Sequence, residues 1–141
     1  MNDEMEDLQE AHPGAGTFQF GPTKKSCNHR IALVIAGKKR AASAPLVEFE
    51  GDMEALPQAG RRDIAVDWDG EPKLIIRTKR VEQVRFCDVT AKMALAEGED
   101  ESLEAWKARQ QAAFEKAGIF DPEMIIVFEH FELFEDLSDR Y

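Results

Sequence analysis

Residues 124–134 read Met-Ile-Ile-Val-Phe-Glu-His-Phe-Glu-Leu-Phe. A run so rich in aliphatic and aromatic side chains on both alternating faces belongs in the middle of a sheet. Alternation puts Ile125, Val127, Glu129, Phe131 and Leu133 on one face, so Glu129 interrupts an apolar row. A carboxylate in that row needs a polar partner or a place at the rim of a pocket, unless the strand end is exposed. His130 falls on the other face, with Phe128 and Glu132. A central strand needs neighbours, and they lie upstream. Residues 63–68 and 73–86 are strand-like and flank Asp-Gly-Glu-Pro, in which Asp69-Gly70 signals a hairpin turn.

Helical patterns fill the remainder. After Ser26, read as an N-cap, Cys27, Ile31, Val34 and Ile35 fall at i, i+4, i+7 and i+8, and Gly37 ends the element. A short helix over Val89–Ala96 ends at Gly98. A longer one follows Ser102, with Leu103, Trp106, Gln110, Ala113 and Phe114 on one stripe and Gly118 closing it. The order of helix, antiparallel strands, two helices and a closing strand predicts an α+β fold, its sheet curled into a small, mainly antiparallel β-barrel with flanking helices. Residues 1–16, acidic and ending His-Pro-Gly-Ala-Gly, read as a flexible lead-in, and 17–141 as a single domain.

Charge narrows the function. The net charge of −10 argues against a long duplex footprint, yet it is unevenly spread. Between Gly21 and Val47 there is no acid, while Lys24, Lys25, Arg30, Lys38, Lys39 and Arg40 supply six positive charges. One positive region on a negative chain suits a small anionic or nucleotide-sized target; lysines that merely solvate a helix end account for it equally. No apolar run reaches the ~18 residues that span a bilayer, so no membrane is expected. The acidic start is the reverse of a secretory signal, which points to the cytoplasm. Cys27 and Cys87, 60 positions apart, form neither a disulfide framework nor a zinc motif, and the three histidines have no ligand spacing, so no metal site is assigned.

Five segments carry a resemblance. Thr17–Gly21, Leu33–Ser43 with its Gly-Lys-Lys, Ile75–Val89, Ala96–Glu115 with its Ala-Glu-Gly-Glu, and Met124–Phe134 resemble the successive motifs of the ASCH domain, in the PUA-like superfamily. The resemblance implies a PUA-like β-barrel. It also implies a cleft, built by the first helix, the segment after it and the Ala-Glu-Gly-Glu region, that holds RNA or a modified nucleoside as partner. Some members are ribonucleases. Others hydrolyse the amide of N4-acetylcytidine with a lysine, a threonine and a glutamate. The family lysine falls on Lys39, preceded by Lys38, and the glutamate on Glu99, but the threonine position is Ala42, which has no hydroxyl to attack with. Ser43 is the nearest hydroxyl, and in an extended segment it points to the opposite face.

The expected catalytic residues are therefore Lys39, Glu99 and Lys38. Lys38, Lys39, Arg40, Ser43, Arg77 and Trp106 are the expected RNA contacts, although core packing would serve Trp106 and a solvent-facing strand position Arg77. The favoured reading is a ribonuclease acting on single-stranded RNA, with lysines clamping phosphate and Glu99 as base. The alternatives are the acetylcytidine amidohydrolase, with water attacking in place of threonine, and a non-catalytic RNA-binding module. Any cofactor is unknown. A divalent cation on Glu97, Glu99, Asp100 or Glu101 is one use for those acids, and an acidic helix start is another.

Overall fold

The computed structural model describes residues 3–138. Among them are helices α1 (Asp3–Ala11), α2 (Lys24–Ile35), α3 (Ala91–Ala96) and α4 (Leu103–Lys116), and strands β1 (Gly16–Phe18), β2 (Ala41–Pro45), β3 (Arg62–Val66), β4 (Pro72–Arg85) and β5 (Ile125–Asp136). The strands form one sheet in the order β1-β3-β4-β5-β2. The β1–β3 pair is parallel and the others are antiparallel. The sheet curls into a half-barrel with helices against it, the α+β, PUA-like arrangement expected. Register shifts at Ala65/Val66, Ile75/Ile76 and Thr78/Arg80 bend the long strands, as bulges do.

Alternation sorts the core onto the two faces. On one side Phe131 of β5 and Leu74 and Ile76 of β4 pack with Phe20 and with Cys27, Ile31 and Val34 of α2. On the other, Ile126 and Phe128 of β5 pack with Phe86, Met93 of α3 and Trp106 of α4. The strand expected to be central is central, lying between β4 and β2. The 69–70 turn joins β3 to β4 as expected. Cys27 is buried and Cys87 exposed, and both are free.

Two expectations need adjusting. The N-cap of α2 is Thr23, not Ser26. Thr-Lys-Lys-Ser makes a reciprocal box, in which the Ser26 amide donates to Thr23 Oγ1 at 3.1 Å and the Thr23 amide donates to Ser26 Oγ at 3.2 Å. The helix thereby starts one turn earlier. The lead-in read as flexible carries α1, whose Leu8 is buried with Ile64, Val66, Ile75 and Leu137. Two apolar contacts, Met5 and Leu8, in an acidic stretch leave little periodicity to read.

The contact that shapes the molecule for function joins the exit of α2 to the turn after α3. The Arg40 amide donates to the Ala96 carbonyl at 2.7 Å. Gly98 has φ +74°, and a Cβ there would lie 2.3 Å from the Lys38 carbonyl oxygen. Gly98→Ala should therefore cost about 3 kcal/mol or more, combining left-handed strain with a backbone clash. Gly118→Ala, at φ +75° with nothing within 4 Å of the added carbon, should cost only about 1 kcal/mol. Urea unfolding of the two variants measures the difference, and equal losses would mean the 98–38 approach is not tight.

Candidate functional site

The three cations after α2 do not form a patch. Lys38 points to solvent. Arg40 turns back, its Nη1 donating to the carbonyls of Val34 at 3.3 Å and Lys39 at 3.2 Å, so it caps the helix exit. Lys39 alone goes inward and is 2% exposed. Its Nζ donates to Glu99 Oε2 at 2.8 Å and to the Glu97 carbonyl at 3.3 Å. The other oxygen of Glu99 accepts from Arg30 Nε on α2 at 2.9 Å. The expected Lys39–Glu99 contact, across 60 residues of sequence, is thus made in the structure.

Glu97, two residues before Glu99, lives differently. It is 3% exposed, and its Oε2 accepts from Ser43 Oγ at 2.6 Å and from Trp106 Nε1 at 2.9 Å. Burial pushes its carboxyl above the ordinary 4.5, against the lowering influence of Ser43, Lys39 and Trp106. Burial also works to raise Glu99, but there the charges and hydrogen bonds of Lys39 and Arg30 win and hold it below 4.5. Neighbouring carboxyls, one with neutral hydrogen-bond partners and one with cationic partners, are therefore shifted in opposite directions.

These groups line a pocket of about 570 Å³. Its walls include Lys39, Glu97, Glu99 and Arg30 at one end and Asp63 and Glu129 elsewhere, with Phe18, Phe20, Phe49 and Phe131 between. Glu129, the residue that interrupts the apolar row of β5, accepts from Thr78 Oγ1 at 2.5 Å, and burial raises its carboxyl against that hydrogen bond. Ala42 pairs with Glu129 and Ser43 with Phe128, so the two occupy opposite faces of β2 as alternation requires. Both line the pocket, and β2 is the last strand of the sheet.

The other expected contacts are dispersed. Trp106 is fully buried; its ring lies between Phe86 and Phe128, and its N–H serves Glu97. Arg77 pairs with Glu132 at 2.9 Å over the Phe134 ring, away from the pocket lining. Asp100 is committed to a two-pronged pair with Arg109, and Glu97 to Ser43 and Trp106. Among the described residues no three His, Cys, Asp or Glu side chains gather to hold a metal ion. Sequence reasoning passed over Glu97 and Arg30 as pocket residues. Two acids flanking a glycine in Ala-Glu-Gly-Glu, with an apolar helix on either side, were the available signal.

The ASCH domain family model matches residues 16–135. No curated protein matches the chain. The crystal structure of an ASCH domain from Lactobacillus crispatus JV V101 is 26% identical, with a TM-score of 0.77 over 92% of this chain and 85% of that one. Protein EF3133 from Enterococcus faecalis V583 is also 26% identical, with a TM-score of 0.78 over 96% and 88%.

The carboxyl environments give a pH signature. A native carboxyl that keeps its proton above 4.5 makes the fold lose stability as pH rises from there through its raised value. Glu97→Gln keeps an acceptor for Ser43 and Trp106 and removes that loss, so the variant should gain on the wild type across this rise. Glu99 is the opposite case, its contribution being present above 4.5 and lost as pH falls through its lowered value. Glu99→Gln should cost about 3 kcal/mol at neutral pH, since it leaves Lys39 buried beside a neutral amide, and progressively less in acid. Urea melts of all three proteins between about pH 2.5 and 8 read both slopes; parallel curves would mean that neither carboxyl is shifted.

Proposed function

The chain belongs to the ASCH domain family, and from that premise we propose that the pocket takes a single nucleoside unit, free or within RNA, and hydrolyses an acyl amide on its base. The buried Lys39–Glu99 pair on the pocket wall carries this reading. The cavity, at about 570 Å³, falls within the ~300–1,000 Å³ of small-molecule sites. Asp63, Glu97, Glu99 and Glu129 line it together with Arg30, Lys39, Arg61 and Arg109, so the wall offers both acceptors and donors to the hydroxyls and N–H groups of a neutral nucleoside. The phenylalanines offer faces on which a base can stack.

The chemistry follows from the charges. An amide carbonyl oxygen becomes negative when its carbon is attacked, and a preorganised, desolvated ammonium stabilises that charge best. Lys39 is such a group, and Glu99 and the Glu97 carbonyl hold it in place. Glu97, made more basic by burial, suits passing a proton gained during the attack on to the departing nitrogen.

A second reading, cleavage of an RNA strand, is favoured by one observation: Arg30 and Arg109 also line the pocket, and both are partly exposed, at 25% and 39%. Guanidiniums so placed would hold the phosphates beside a nucleoside whose base is inserted.

Release of acetate from N4-acetylcytidine by purified protein tests the first reading. Lys39→Met should lower kcat about a hundredfold, with the circular dichroism spectrum retained. Undiminished release in that variant, or no release by the wild type, would sink it. Cleavage of a labelled single-stranded RNA, lost in Lys39→Met, would favour the second.

A further inference from the structure

We infer that Ser43 is the attacking nucleophile of this pocket and that Glu97 is its base. The inference rests on the amide-hydrolase reading for the substrate, and on the geometry of the pair for the chemistry. Ser43 Oγ donates to Glu97 Oε2 at 2.6 Å, a short hydrogen bond, and both residues line the pocket. A hydroxyl nucleophile needs a base within hydrogen-bond reach, oriented by a third group. Here Trp106 Nε1 is that group, donating to the same carboxylate oxygen at 2.9 Å from a ring locked between Phe86 and Phe128.

The surroundings fit a working base better than an idle one. Glu97 is 3% exposed and meets neutral donors on its carboxylate, whereas Glu99 beside it is held by two cations. Burial makes the Glu97 carboxylate the more basic of the two. Ala42, one residue before Ser43, has only a methyl group, so on β2 the hydroxyl that reaches the pocket belongs to Ser43.

The steps balance as follows. The Glu97 carboxylate takes the Oγ proton as the Oγ–C bond forms at the acyl carbon. Negative charge grows on the carbonyl oxygen, within the field of the Lys39 ammonium. The C–N bond breaks, and Glu97 passes its proton to the departing nitrogen, leaving an amine and an ester on Ser43. Water then adds to the ester carbon and gives a proton to Glu97. The C–Oγ bond breaks, Oγ regains that proton, and the carboxylic acid leaves and ionises in solvent.

An activated acetyl ester, p-nitrophenyl acetate, probes the pair without any nucleoside. The full chain is quenched after brief exposure, and peptide mapping by mass spectrometry locates the acetyl group. An acetyl group on Ser43 is expected, and Glu97→Gln should slow its arrival about a hundredfold while the fold remains. Should Ser43→Ala melt, Ser43→Cys keeps a nucleophile and should accept the acetyl group at the same position. No acetyl on position 43 in either the wild type or Ser43→Cys would overturn the inference, as would a Glu97→Gln rate equal to the wild type. Hydrolysis of N4-acetylcytidine that survives Ser43→Ala would also overturn it while leaving the substrate reading intact. Acetylation of Ser43 with no nucleoside turnover would do the reverse.

Discussion

Burying an ammonium group is among the more costly things a fold does, and in this one the cost is offset at a single place. Lys39 is 2% exposed, and an unpaired charge at such depth would be untenable. Glu99 supplies the counter-charge and the Glu97 carbonyl a second acceptor, both from the turn after α3. That turn reaches Lys39 only because Gly98 lets two backbones touch. Arg30 then completes the pairing from α2, so two helix ends and one turn become a single unit.

The same pairing divides the labour between two carboxylates. Glu97 and Glu99 are separated by one residue and share the neighbourhood of Lys39, yet their partners differ in kind. Two cations leave Glu99 no reason to bind a proton. A serine hydroxyl and an indole N–H satisfy the geometry of Glu97 without supplying charge, so desolvation prevails. Trp106 matters here through its nitrogen: a phenylalanine would fill the same space and leave the carboxylate with one donor fewer.

Much of this was legible in the sequence, and the failures share a cause. The central strand, the 69–70 hairpin and the three glycine-terminated helices follow from periods of 2 and 3.6 and from turn chemistry, all of them local signals. Thr23 was missed because a Thr-x-x-Ser box shares its two residues between the cap and the first turn, and the serine can be read as either. The divergence of Lys38, Lys39 and Arg40 is not local. Spacing places three cations at a helix exit, but only the backbone approach of Gly98 decides which of them is drawn inward. The burial of Glu97 depends likewise on Trp106 and Ser43, nine residues away and 54 residues away. Contacts of that range leave no periodicity.

A hydroxyl displaced by one residue would be lost to a site built on a central strand, because each step along such a strand exchanges one face for the other. An edge strand relaxes the rule. β2 pairs with β5 alone in the sheet, and Ala42 and Ser43, on its opposite faces, both line the pocket. The position that loses its hydroxyl faces Glu129, while the one that carries it faces the side of the strand where Glu97 and Trp106 lie. The proposed chemistry needs a carboxylate on the side of the strand that Ser43 faces. Glu97 is that carboxylate, and its burial depends on the same turn that brings Glu99 to Lys39.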